Sequence, residues 1–264
     1  MNQLLNDIER RTEAVQARLE ESEGLFTDFF SRLDLSWIYH DNALEGVVLS
    51  FAELNAAIDD DIISDATLIP TYEDVQNHKS AIELVRQTRG KKKTSFDLDY
   101  LKKLHMVLSQ ELSVRGAKAP AKPTPGQYRK DNPLHRMYFH EIAPPEKISY
   151  QMRKIVAWLS SDECKKMHAI KRAAIAHHKL IAIYPWPKHS GKVARLLMNA
   201  MLLRDGLLPA VIHAIERQRY YEVLRQSSDA LIELVAEAAQ RTLVSAEKFF
   251  EAVDAGLAGA SETL

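Results

Sequence analysis

The sequence predicts an all-α protein, and three observations carry that reading. Only 9 glycines and 10 prolines occur in 264 residues, and six of the ten prolines fall between Pro120 and Pro145, so the rest of the chain has few helix breakers. Outside residues 114–145 the apolar residues recur at helical spacing. A hydrophobic fraction of 46% against 27% charged residues is the balance of a globular chain able to bury a sizeable core.

Leu4, Leu5, Ile8, Val15 and Leu19 mark a first amphipathic helix ending near Gly24, and Phe26, Phe29, Phe30, Leu33, Ile38 and Leu44 carry an apolar face on to Gly46. Ser50-Phe51-Ala52-Glu53 reads as a capping box opening a short helix toward Ile58. The acidic run Asp59-Asp60-Asp61 after it reads as a solvated loop. Thr71-Tyr72-Glu73-Asp74 starts another helix, carried by Val75, Ala81, Ile82 and Val85 and stopped at Gly90. Lys91-Lys92-Lys93 reads as an exposed turn in preference to a phosphate-binding run. Ser95 is the expected cap of a helix bearing Leu98, Leu101, Leu104, Val107 and Leu108. Residues 114–145 break the pattern and are the one place for strands, as a small hairpin across Tyr128 to Ile142. Helices are expected again over 146–160, 166–183, 191–204, 217–225 and 228–255, with 256–264 a frayed tail. The organisation is a helical region over 1–94, a core over 95–226 and a C-terminal helix with its tail over 227–264, within one compact domain.

Thirty-five Lys and Arg face 36 Asp and Glu, a net charge of −1, which argues against a global pull toward nucleic acid or an anionic membrane. The lone Cys164 excludes an internal disulfide and a multi-cysteine zinc site. No apolar run approaches the roughly 18 residues of a membrane helix, and Met1-Asn2-Gln3-Leu4-Leu5-Asn6-Asp7 is unlike a signal peptide. The expectation is a cytoplasmic protein.

The chemistry concentrates between two helices, in Tyr184-Pro185-Trp186-Pro187-Lys188-His189-Ser190-Gly191-Lys192, followed at once by Val193-Ala194-Arg195. A short turn feeding a helix N-terminus presents unpaired N–H groups and a positive dipole end, a ready anion site. Lys188, Lys192 and Arg195 add three cations around that helix start.

This segment resembles the signature of the Fic family, His-Pro-Phe-x-Asp/Glu-Gly-Asn-Gly-Arg-x-x-Arg, aligned without gaps from Tyr184 to Arg195. Pro125-Gly126-Gln127-Tyr128-Arg129 resembles the family's segment before its flap, and Ala143-Pro144-Pro145 the segment after it. Ala173-Ala174 and His177 match the preceding helix, and Arg195-Leu196-Leu197-Met198-Asn199 the following one. Asp41-Asn42-Ala43-Leu44-Glu45-Gly46 resembles the family's inhibitory helix, which places such a helix near 36–46. The resemblance implies the Fic fold: a helical bundle around the motif-bearing helix pair, with a small β-hairpin flap. It implies a pocket for ATP or another nucleotide, AMP transfer to a protein hydroxyl, and a protein target met through the 128–142 flap. Lys188, His189, Ser190, Gly191, Lys192 and Arg195 become the nucleotide- and phosphate-binding residues, and Glu45 with Asp41 the inhibitory ones. Asp41 stands where the family has Ser or Thr.

Three departures bear on catalysis. Tyr184 holds the place of the family's general base, and a phenol of pKa about 10 is a poor proton acceptor at neutral pH. Lys188 holds the place of the Mg²⁺ carboxylate, and an ammonium has no acceptor, so Mg²⁺ is not expected. His189 replaces a glycine, a cost if that position needs φ > 0. His189 is also the one candidate for a relocated base. His177 reads as a buried, hydrogen-bonded core histidine. The reading that follows is a degenerate Fic-fold protein that keeps an anion or nucleotide pocket. Its alternatives are a nucleotidyl- or phosphate-linked group transferase using non-standard residues, and a protein-interaction module without a ligand.

Overall fold

The computed structural model describes residues 1–58, 69–110, 126–133 and 140–256. Among them the chain forms α1 (Asn2–Glu20), α2 (Glu23–Leu44), α3 (Phe51–Ile58), α4 (Ile69–Arg86), α5 (Leu98–Leu108), α6 (Pro145–Ser160), α7 (Asp162–Lys166), α8 (Ala169–Ile183), α9 (Ser190–Arg204), α10 (Arg217–Val223) and α11 (Ser228–Asp254), with a 3₁₀ turn at Ala214–Glu216. No helix among the described residues is long and apolar enough to cross a membrane.

The bundle is organised by α9. Every residue from Ser190 to Leu203 is buried, because a run such as Leu196-Leu197-Met198-Asn199-Ala200-Met201-Leu202-Leu203 is apolar all round and has no face for water. Helix α8 lies antiparallel against it; α11 and α6 pack on α8, α4 and α5 on α9, and α1 on α11. Helix α1 shows the simpler amphipathic case. Leu5, Ile8, Thr12, Val15 and Leu19 face inward at spacings of three and four. Its outer edge is tied to α11 by Arg11, which grips Glu247 at 2.8 and 2.7 Å.

The capping box at Ser50 is present in both directions. Ser50 N–H donates to Glu53 Oε2 at 2.7 Å, and Glu53 N–H to Ser50 Oγ at 3.2 Å. Three expectations change. Asp97, not Ser95, caps α5, its Oδ1 accepting from Tyr100 N–H at 2.8 Å; a carboxylate at that end also suits the helix dipole. The helix expected over 166–183 begins three residues later, because His168 caps α8, its Nδ1 accepting from Ile170 N–H at 3.2 Å, and Ser161 caps a separate short α7 before it.

The hairpin across Tyr128 to Ile142 is the third. Residues 134–139 at its centre lie outside the described residues, and the two described arms hold no strand. Neither described arm pairs with the other through backbone bonds; both bond to the end of α8. Arg129 N–H donates to Pro185 O and Ala143 N–H to Ala182 O, each at 2.9 Å. The Arg129 side chain donates to Tyr184 O at 2.7 Å and also to Ala143 O. One buried guanidinium thus satisfies carbonyls of both arms and of the α8 terminus, partners that a ladder would otherwise supply. The acidic run 59–61 and the tail beyond Gly256 also lie outside the described residues.

Candidate functional site

The turn from Tyr184 to His189 reverses the chain between α8 and α9 and needs two left-handed residues. Tyr184 has φ 48° and His189 φ 62°, the only non-glycine positive φ values among the described residues. The position where His189 stands for glycine is therefore one that favours glycine, and a non-glycine residue there costs about 1–2 kcal/mol. The turn is closed by Ser190, whose Oγ accepts from Trp186 N–H and donates to Trp186 O, both at 2.9 Å. Trp186 is buried and stacks on His105, with centroids 4.7 Å apart and planes 10° from parallel. His105 Nδ1 in turn accepts from Gly126 N–H at 3.1 Å. These bonds brace the loop, while the buried Trp186 Nε1 makes no hydrogen bond among the described residues.

The three cations part company here. Lys188 is exposed on the outside of the turn. Lys192 and Arg195 point inward, with 3% and 2% of their surface exposed. What they meet is α2. Arg195 Nε donates to Asp41 Oδ1 at 2.7 Å and Nη2 to Glu45 Oε1 at 2.8 Å. Lys192 Nζ donates to Asn42 Oδ1 at 2.8 Å. Asp41 and Glu45, four positions apart, fall on one face of α2, and Asn42, three positions before Glu45, borders that face. Two buried cations thus face two carboxylates.

Burial by itself would raise the Asp41 carboxyl, but Arg195 first, then His78 and Lys192, hold it down to about 2. Burial would lower Arg195, but Asp41 together with Tyr220 and Glu45 outweighs it and the guanidinium is held more strongly protonated than usual. His78 on α4 brings Nε2 to 3.2 Å from Asp41 Oδ2; burial pushes that imidazole down, so it is neutral at pH 7. Arg195 Nη1 also donates to the Tyr220 hydroxyl at 3.3 Å, which leaves the phenol proton for His177 Nε2 at 3.0 Å. His177 is fully buried and its pKa lies well below the ordinary value, again through burial.

Glu45 sits at the α9 N-terminus itself. A Cβ added to Gly191 would lie 2.9 Å from Glu45 Oε1 and 3.2 Å from Arg195 Nη1. The helix start therefore holds an anion supplied by the chain's own α2. The end of α2 is fastened as well: Arg217 Nε and the Tyr221 hydroxyl both donate to Leu44 O, at 2.9 and 3.0 Å.

Of the residues picked out from the sequence, Asp41, Glu45, Gly191, Lys192 and Arg195 come together, Ser190 is spent on the turn, and Lys188 stands outside. His189 is partly buried, and burial together with Lys192 lowers its pKa to about 4. A base that weak accepts a hydroxyl proton poorly. Asn42, His78 and Tyr220 were missed as members of the cluster. Asn42 had a signal, its place between Asp41 and Glu45 on the inhibitory-type segment. His78 and Tyr220 had none, since each arrives from a helix distant in sequence.

Residues 95–202 match the family model of the Fic/DOC family. A relative from Nematostella vectensis, named protein adenylyltransferase Fic, is 30% identical over 210 residues, covering 78% of this chain and 47% of the relative. One of the same name from Culex quinquefasciatus is 27% identical over 213 residues, covering 78% and 40%. The chain spans less than half the length of these relatives. Among solved structures, a Fic-domain-containing signalling protein from Bacteroides thetaiotaomicron superposes with a TM-score of 0.74 at 20% identity, over 93% of this chain and 97% of that one. Fic-1 from C. elegans gives 0.75 at 22% identity, over 95% and 71%. At such identities the likeness is one of fold, and that fold is all-α.

Proposed function

The chain belongs to the Fic/DOC family, and from that premise we propose that it is a Fic-fold protein with a degenerate motif: it keeps the family's anion-binding helix start, lacks the groups for AMP transfer, and is held closed by α2. The observation that carries this reading is the pairing of Arg195 with Asp41 and Glu45 at the mouth of α9, beside a turn that bears Tyr184 and Lys188. Its relatives are named adenylyltransferases, and the motif of that reaction needs a proton acceptor at position 184 and a carboxylate at position 188. A phenol and an ammonium supply neither. Loss of a general base alone removes roughly 10²–10⁴-fold in rate.

Mg²⁺ does not fit the donor set. The turn offers it an ammonium and an imidazole, and the carboxylates of Asp41 and Glu45 are engaged by Arg195, which leaves Asp74, near His189, as a single carboxylate against two cations. The ligand that suits the site is the phosphate chain of ATP or another nucleotide, held by Lys192, Arg195 and the α9 amides once the Glu45 carboxylate withdraws. An active transferase using His189 as its base is the weaker reading, because that imidazole's pKa is down at about 4.

Calorimetry with ATP tests the proposal. Glu45→Gly should bind ATP more tightly than the unaltered chain, and added Mg²⁺ should change neither affinity. Neither protein should transfer labelled AMP to itself or to a lysate. Tyr184→His with Lys188→Asp and His189→Gly, placed in the Glu45→Gly background, should restore transfer. Labelling by the unaltered chain that is lost in Lys192→Ala would overturn the reading.

A further inference from the structure

The Lys91-Lys92-Lys93 run, an exposed turn by its sequence, has neighbours in space. Lys92 and Lys93 form one side of a cleft of about 510 Å³, whose other sides carry Lys165, Arg172 and Arg204, with Asp205 as its one carboxylate among the described residues. This cleft is remote from the motif turn. Arg172 lies in the first turn of α8 and Arg204 ends α9, so the length of α8 from Arg172 to Ile183 separates the two places by about 17 Å.

The floor is prebuilt. Arg172 Nη2 lies 2.6 Å from Asp205 Oδ2 and Arg204 Nε 3.0 Å from Asp205 Oδ1. Two guanidiniums share one carboxylate, which leaves a positive charge over. Arg172 Nη1 also donates to Lys165 O at 2.9 Å, and Arg204 lies over the Phe96 ring at 4.8 Å, so both are fixed before anything binds. The lysine side is held too. Gly90, with φ +67°, donates its N–H to Leu203 O at 3.0 Å, and Thr88 Oγ1 donates to Ala200 O at 3.0 Å. The turn is therefore riveted to the last turns of α9, with its ammoniums facing the same cleft as Arg204.

We infer that this cleft binds a small molecule through a polyphosphate group. Clustered ammonium and guanidinium donors match phosphate oxygens better than any other common anion, and the Thr94 and Ser95 hydroxyls line the same space. Its volume is that of a small-ligand site, and its concavity suits a compact ligand better than a membrane surface or a nucleic-acid duplex. The inference stands apart from the reading of the motif turn.

The full chain is titrated by calorimetry with inorganic tripolyphosphate and, separately, with ADP, at fixed physiological salt. Lys92→Ala with Lys93→Ala should weaken tripolyphosphate binding about tenfold or more, as expected for two lost charge-assisted contacts. Lys147→Ala with Lys154→Ala removes the same charge from exposed sites on α6 and should change it less than about twofold. ADP competing with tripolyphosphate identifies a nucleotide as the source of the phosphates; tripolyphosphate binding alone points to another phosphorylated molecule. Equal weakening in both pairs would mean only diffuse charge, and no weakening in either would put the anion at the motif turn. Tighter binding of duplex DNA or anionic vesicles through Lys92 and Lys93 would make the cleft part of a macromolecular surface. Each of those three results overturns the inference. All four lysines are exposed, and circular dichroism confirms that the variants fold.

Discussion

Both ends of the α8–α9 hairpin gather cations, three at the turn and five at the far cleft, and use them in different ways. At the turn, Lys192 and Arg195 are buried and answered by Asn42, Asp41 and Glu45. At the far end, Asp205 holds Arg172 and Arg204 together while Lys92 and Lys93 face solvent. A buried, answered cation supports the fold and is costly to remove; an open one contributes little to stability and is free for a ligand. What separates them is the partner each one meets, not the number of charges.

The largest expected effect tests that contrast directly. Arg195→Leu leaves Asp41 buried without its principal counter-charge and should cost about 3–5 kcal/mol in urea unfolding. Lys93→Ala at the other end should change stability by less than about 0.5 kcal/mol. Comparable losses at the two ends would erase the distinction.

Acid should break the turn end in a defined window. Asp41 has a folded pKa of about 2 against an ordinary 3.8. Its stabilising contribution is thus complete above about pH 4 and is lost as the pH falls from 3.8 toward 2. The size is about 2 kcal/mol. His40 and His105, lowered by burial to about 4, act in a higher window. The unfolded chain takes up their protons near pH 6.5 while the folded chain resists until about 4, so stability already falls between those values. Asp41→Asn should remove the lower step and keep the upper one, as read from unfolding midpoints across pH 2–7.

How much of this was legible depends on where each partner lies in the chain. The helices were readable because their apolar spacing is local, as at Leu5, Ile8 and Val15. The break at Met167-His168 was not, because the apolar positions on either side continue one period while the caps at Ser161 and His168 decide the boundary. The described arms of the expected hairpin were misread for a different reason: Arg129 gathers carbonyls from three segments, and no alternation pattern reports that. In the site, Glu45 and Arg195 were found through a resemblance spanning 150 residues of sequence separation. His78 and Tyr220 carry no such mark, and only the folded chain brings them to Asp41 and Arg195.

Backbone strain is expected to matter less than charge. His189 sits at φ 62° with no side-chain cap for α9. His189→Gly relieves that conformation but loses contacts in the half-buried turn, and should leave stability within about 1 kcal/mol of the unaltered chain. His189→Val, β-branched at a positive φ, should destabilise by about 1–2 kcal/mol. If glycine proves as costly as valine, the turn is held by the imidazole and not by its backbone.

The smallest effect sharpens the comparison most, because it probes how tightly α2's carboxylate fills the helix start. In Gly191→Ala the new methyl would meet Glu45 Oε1 at 2.9 Å. That atom ends a flexible side chain, so it shifts, at a cost of about 0.5–1 kcal/mol that the better helix propensity of alanine partly offsets. The net change should fall within about 0.5 kcal/mol. In a Glu45→Ala background the closer obstruction is gone and only the 3.2 Å approach to Arg195 Nη1 remains, so the same substitution should become more favourable. The double-mutant cycle therefore has a definite sign: Gly191→Ala is more favourable without Glu45 than with it. A zero coupling would place the Glu45 carboxylate away from the α9 amides in solution, leaving the turn end as open as the cleft at the other end of the hairpin.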